Sequence, residues 1–150
     1  SVTLPAPTQV RPEPGIFLQF APIERSYEHP LSDRGASLIT GYPTHGQLVD
    51  RLAANLEVFG ADTADALEYW LDNSRFSGWK REAIARVPWN REVFLADLRV
   101  YAGLGIRSVR TYAFWFDQDY VARYGEPPIA EYAAGLARWR EVGGKPVETS

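Results

Sequence analysis

Two periods of hydrophobicity alternate along this chain. Residues 15–22, 66–72 and 106–116 are short, nearly continuous apolar runs of strand length. Between and after them, apolar positions recur at helical spacing. Thr44 and Gln47 match a capping box, with Leu48, Leu52, Leu56 and Phe59 along one face and Gly60 as a left-handed stop. Asn90 caps a second predicted helix that turns Val93, Phe94, Leu98 and Tyr101 inward and ends at Gly103 or Gly105. A third has Pro128 at its first position, presents Ile129, Tyr132, Ala133, Leu136 and Trp139, and stops at Gly143 and Gly144.

This pattern predicts one α/β domain over 15–141, built from three consecutive parallel strand-then-helix units. A Pro-rich extended lead-in occupies 1–14 and a polar tail 142–150. Pro22 has no N–H for a ladder and marks the end of the first strand. The connections leaving the strands, 23–43 and 73–89, are long and the returns are short; a short helix within 76–85 is expected in the second. Right-handed crossovers place all helices on one side of a parallel sheet unless the winding reverses, so the other face needs a cover. One architecture that supplies it is the C-terminal part of a (β/α)8 TIM barrel; the other is a small doubly wound three-layer α/β domain. The chain starts at Ser1 and contains no Met, which favours a segment of something longer. A missing N-terminal barrel segment, or self-association in its absence, is then the expected partner of the sheet.

Composition removes several function classes. The net charge of −3 is small and Lys and Arg are scattered, so no nucleic-acid footprint is present. No apolar run approaches the ~20 residues of a membrane span, and a soluble protein, with secretion or a periplasmic site left open, is expected. With zero Cys, disulfides, thiolate metal sites and thiol catalysis are excluded. Zinc-type His spacing, a phosphate-cradling Gly-rich loop and a Ser-centred hydrolase elbow are also missing, so neither metal nor cofactor is implied.

The segments Phe20-Ala-Pro-Ile-Glu-Arg-Ser-Tyr-Glu-His29, Leu67-Glu-Tyr-Trp-Leu-Asp-Asn-Ser74 and Pro88-Trp-Asn-Arg-Glu-Val-Phe-Leu-Ala-Asp97 resemble a bacterial family of unknown function, often encoded near polysaccharide-degrading systems. The stretch 105–116 and Asp119-Tyr-Val-Ala-Arg-Tyr-Gly-Glu-Pro-Pro128 add to the likeness. Such proteins look like glycoside-hydrolase barrels, distantly similar to α-glucuronidases and β-hexosaminidases. The resemblance covers roughly residues 15–136 and implies the carboxyl-terminal part of the barrel, with a carbohydrate ligand.

In α/β proteins, binding and chemistry gather beyond the carboxyl ends of parallel strands. Glycoside hydrolysis uses a pair of carboxyl groups, and Glu68, Glu24 and Asp117 are the catalytic candidates. Alternation along the second strand sets Glu68, Trp70 and Asp72 on one face, expected to point into the barrel mouth. Against catalysis by Glu68 stands a salt bridge to Arg25 or Arg110; against Glu24 and Asp117, a helix cap or a solvated position. Polar strand-end stretches supply Arg25, Asp72 and Asn73 as substrate-binding candidates. His29 is a candidate acid, base or hydrogen-bond donor, and Tyr27 and Trp115 are candidate platforms for a sugar ring. Trp70 and Trp89 read as core, and His45, inside the capping box, has no chemistry assigned. Two functions follow: a carbohydrate-active, glycoside-hydrolase-like segment acting on a polysaccharide or oligosaccharide, or a non-catalytic sugar-binding or assembly module.

Overall fold

Strands β1 (Gln19–Phe20), β2 (Asp65–Asp72) and β3 (Ser108–Phe114) form one parallel sheet in the order β1-β2-β3. The computed structural model describes residues 4–142; Gly143, Gly144 and the remainder of the expected tail lie outside the described residues. Helix α1 (His45–Phe59) joins β1 to β2. Between β2 and β3 come α2 (Asn73–Phe76), a 3-10 turn at Arg81–Ala83, and α3 (Arg91–Gly103). Helices α4 (Gln118–Tyr124) and α5 (Ile129–Glu141) follow β3. The α/β class and the three parallel strands in sequence order agree with the hydrophobic pattern.

Helix starts follow the capping chemistry. Thr44 Oγ1 accepts from Gln47 N at 3.2 Å while Gln47 Oε1 accepts from Thr44 N at 2.9 Å, the reciprocal bonds of a capping box. Asn90 Oδ1 accepts from Glu92 N and Val93 N at the start of α3. Pro128 stands one position before the first residue of α5, at its cap.

The strands depart from the apolar runs at their ends. Only Gln19 and Phe20 pair, beside Asp65 and Ala66, and Ile16 and Phe17 are more than half exposed. The run 15–22 is therefore not a strand buried on both faces, because its first half lies outside the ladder. The third strand stops at Phe114, where Trp115 takes a φ of 63° that ends extended geometry.

Side-chain contacts orient the sheet. Phe20 packs edge-on against Tyr101 of α3 and Trp70 edge-on against Phe94 of α3, with Tyr132 of α5 tilted beside Trp70. The face carrying Phe20, Ala66, Glu68 and Trp70 is thus the helix-facing one, and the expectation that Glu68 points to an inner barrel side is corrected. Alternation puts Gln19, Asp65, Leu67 and Tyr69 on the other face, where Tyr69 stacks on Tyr112 at 5.3 Å and Asp65 accepts from Gln19, Ser108 and Arg110. Arg110 therefore pairs with Asp65 rather than with Glu68.

Helices α3 and α5 cross closely at Gly135. A Cβ there would meet Phe94 Cε1 at 2.6 Å, so only glycine fits this approach. A smaller core of Ile84, Val87 and Tyr120, flanked by Phe76, Trp89, Trp115, Phe116 and Tyr124, sits beneath the long connection after β2. Tyr124 Oη donates to Ile84 O at 2.8 Å, and Asn73 Nδ2 to Ala85 O at 2.9 Å, which ties that connection to α4 and to the end of β2.

Candidate functional site

Glu68 lies in the middle of β2 with no solvent exposure. Its Oε2 accepts from Tyr27 Oη at 2.7 Å and from Arg25 Nε at 3.4 Å, and its Oε1 accepts from Tyr101 Oη. The Arg25 guanidinium, itself unexposed, continues to Asp97, which also accepts from Leu31 N at 2.7 Å and from Trp70 Nε1 at 2.8 Å. Three separate parts of the chain, the connection after β1 with Arg25, Tyr27 and Leu31, the strand β2 and the helix α3, are thereby fastened around two carboxylates and one guanidinium. Burial pushes the Glu68 carboxyl above its usual range, against the pull of Arg25. Burial likewise opposes the charge on Arg25, but Glu68 and Asp97 outweigh it and hold the guanidinium protonated. The phenols of Tyr27 and Tyr101 are pushed up by burial and then by the charge of Glu68.

A group sealed this way has no path to a saccharide. The salt bridge to Arg25 is the role the geometry gives Glu68, and Arg25 is a structural partner rather than a ligand contact. Tyr27 is buried, with the guanidinium of Arg25 at 4.2 Å from its ring centroid, that of Arg75 at 4.9 Å, and Phe76 edge-on. Its ring faces are occupied, so it offers no platform. Asp72 is buried, accepts from Ser74 Oγ and caps α2 through Arg75 N. Asn73 is unexposed and bound to Ala85 O; its Oδ1 has no hydrogen-bond partner. In this fold Tyr27, Asp72 and Asn73 brace the end of β2.

Sequence reasoning passed over Asp97, and a signal for it existed. Val93, Phe94, Leu98 and Tyr101 mark the inward stripe of α3, and Asp97 falls within it. A carboxylate on an apolar stripe has to be paired.

The accessible candidates lie at the strand ends. Asp117 follows β3, accepts from Tyr120 N at 3.2 Å as the cap of α4, and pairs with Arg81, which also reaches Asp119 at 3.4 Å. The backbone N–H of Tyr120, reinforced by Arg81, holds the Asp117 carboxyl below its ordinary range, so Asp117 is an ionised group and a poor proton donor. Arg81 also stands over Trp115, 5.8 Å from the ring centroid. Glu24 is half-buried in the connection after β1. The His29 side chain is exposed and bound at Nδ1 to Asp33 at 3.1 Å, while its backbone carbonyl accepts from the Arg25 guanidinium at 3.5 Å. Trp70 and Trp89 pack in the core as expected. His45 is unexposed; its Nδ1 bonds to Pro30 O at 2.8 Å, and burial lowers its pKa.

Two tryptophans at this end have left-handed backbones, Trp79 with φ 62° and Trp115 with φ 63°. Bulky side chains rarely adopt this conformation. For Trp79 the cause is a turn from Ser77 to Lys80, closed by Lys80 N to Ser77 O at 3.2 Å, with Gly78 also at φ 62°. Trp79 is 60% exposed, and Trp115 remains partly exposed.

Among the described residues no group of three or more His, Asp or Glu side chains is placed to hold a metal ion, and no helix is long and apolar enough to cross a membrane. No family model matches the chain, and no curated protein or solved structure is significantly similar to it.

Proposed function

We propose that this chain is a carbohydrate-binding unit of the glycoside-hydrolase barrel type, which receives a saccharide at the carboxyl ends of β2 and β3. The observation that carries this reading is Trp79, 60% exposed and held at positive φ beyond the end of β2, together with Trp115 after β3, also at positive φ and partly exposed, with Arg81 beside its ring and Asp117 and Asp119 paired to Arg81. Indole faces stack on the apolar faces of sugar rings, and flanking charged groups bond to hydroxyls. A backbone cost at solvent-facing bulky residues has no packing return at Trp79, and such strain gathers at ligand sites.

The barrel reading draws support from the strand order and from β3, whose outer edge has no partner strand among the described residues and whose Tyr112 and Phe114 are about half exposed. Binding without hydrolysis fits this site better than catalysis, because the carboxylate best placed by sequence is sealed. Hydrolysis within a complete barrel would rest on Glu24 and Asp117.

Isothermal titration with soluble β-1,4-linked glucose, xylose and N-acetylglucosamine oligomers tests the proposal. Binding of at least one series, weakened about tenfold or more by Trp79→Ala or Trp115→Ala, is expected, as loss of a stacking contact worth about 1.4 kcal/mol or more would produce. Absence of binding in all three series, or binding indifferent to both changes, would overturn it.

A further inference from the structure

A groove of about 440 Å³ lies between the connection 84–90 and the turn that enters α5, within the ~300–1,000 Å³ range of small-molecule sites. Trp89, Pro127 and Pro128 give it flat apolar walls, and Arg86, Glu126 and Glu131 give it hydrogen-bonding groups. We infer that this groove is a second saccharide subsite, adjoining the strand-end tryptophans, so that the ligand is an oligosaccharide rather than a single sugar. The inference rests on the carbohydrate reading above.

Placement supports it first. Trp89 immediately precedes the cap of α3, and Pro128 is the cap position of α5. Helix α3 returns β2 to the parallel β3 and so starts at the carboxyl ends of the strands, and Pro128 at the start of α5 lines the same groove as Trp89. The groove, Trp79 and the partly exposed Trp115 therefore share one end of the sheet. Trp89 and Trp115 also pack against the same small core of Ile84, Val87 and Tyr120, which makes the two places neighbours.

Chemistry supports it second. Trp89 is tilted against Phe94 at 5.2 Å on its core side, and its Nε1 donates to Glu131 Oε2 at 3.0 Å, which fixes the ring while it lines the groove. An indole held by its N–H and backed by a second ring is a preorganised stacking surface. The three charged groups are exposed and of mixed sign. A neutral polyol, whose hydroxyls both donate and accept, matches carboxylates and a guanidinium together, whereas an anion or a cation would meet a like charge.

The test is titration of the full chain with disaccharides and hexasaccharides of whichever of the three series binds, on the wild type, Ala130→Trp and Arg86→Ala. Ala130 and Arg86 are exposed groove residues, so both changes spare the core, and thermal melts check the fold. The hexasaccharide is expected to bind about tenfold tighter than the disaccharide, and that advantage should fall to about twofold in both variants while disaccharide affinity stays unchanged. A hexasaccharide advantage that survives Ala130→Trp and Arg86→Ala, or equal affinity for both lengths, overturns the second subsite and leaves the strand-end site standing. Failure of every saccharide to bind removes both.

Discussion

Arg25 and Asp97, 72 positions apart in the chain, meet as an unexposed ion pair in which Asp97 also accepts from Leu31 N and Trp70 Nε1. Glu68 shares the same guanidinium, so the cluster buries two carboxylates around one cation. The two acids are not equivalent. Asp97 satisfies a backbone N–H and an indole besides Arg25, and its loss orphans them; Glu68 accepts from two phenols, of which Tyr27 Oη also reaches Pro22 O at 3.4 Å, and an amide oxygen at position 68 can still accept from one.

Asp97→Asn is therefore expected to destabilise by about 3–5 kcal/mol, the cost of breaking a buried pair. Glu68→Gln, which leaves a one-to-one pair of Arg25 and Asp97, should cost about 1–2 kcal/mol, near the value of individual buried hydrogen bonds. Urea unfolding of both variants checks the order. Equal losses would mean that Glu68 and not the cation's charge balance governs the cluster.

The dependence on pH has two opposed parts. Burial raises the Glu68 carboxyl above 4.5, so the folded chain holds that proton more tightly than the unfolded one. Its contribution is fully present below pH 4.5 and is lost as pH rises through the raised folded value. Burial lowers the His45 imidazole from 6.5, and its contribution is full above that value and is lost as pH falls toward the depressed one. Glu68→Gln should gain on the wild type as pH rises from about 4.5, and His45→Asn should gain as pH falls from about 6.5. Chemical unfolding of the three proteins across pH 4–8, roughly the range both groups span, reads the two slopes separately.

Local chemistry made α1, α3 and α5 legible, since Thr44, Asn90 and the Pro127-Pro128 pair act within a few residues of themselves. Helix α4 was not read from the sequence. At seven residues it is too short to display an apolar stripe, and Asp117 capping Tyr120 N was weighed only as one alternative for a candidate acid. The orientation of Glu68 was invisible for a different reason. Alternation correctly groups Glu68 with Trp70, but which side the group faces depends on Arg25, Asp97 and Tyr101, and no local pattern announces a contact of that range. The groove beside Trp89 was likewise set by tertiary placement of the connection after β2 against the turn that enters α5.

Gly135 offers a test of the helix layer. Its missing Cβ makes room for Phe94, an unexposed ring that also touches Trp70, Trp89 and Tyr132 and so has little freedom to retreat. Gly135→Ala trades a gain in helix propensity of about 1 kcal/mol against overpacking of about 1–3 kcal/mol. A net loss is expected, and the pairing of Gly135→Ala with Phe94→Leu should recover part of it. Full stability of Gly135→Ala alone would mean that α5 can slide on α3.

Trp79 separates stability from binding most sharply. It sits at the second central position of a turn that requires φ above zero at both, and 60% of it is exposed, so its side chain supports little of the fold. Trp79→Gly removes a left-handed backbone cost of roughly 1–2 kcal/mol, offset in part by the freedom glycine restores to the unfolded chain. The variant is therefore expected to melt at or slightly above the wild-type temperature while its affinity for oligosaccharide falls about tenfold. A generic loss of structure would lower both quantities together, and a purely structural Trp79 would lower only the first. Differential scanning calorimetry and titration on the same preparation decide between them, because only a residue held in strain for a ligand gives up binding without giving up stability.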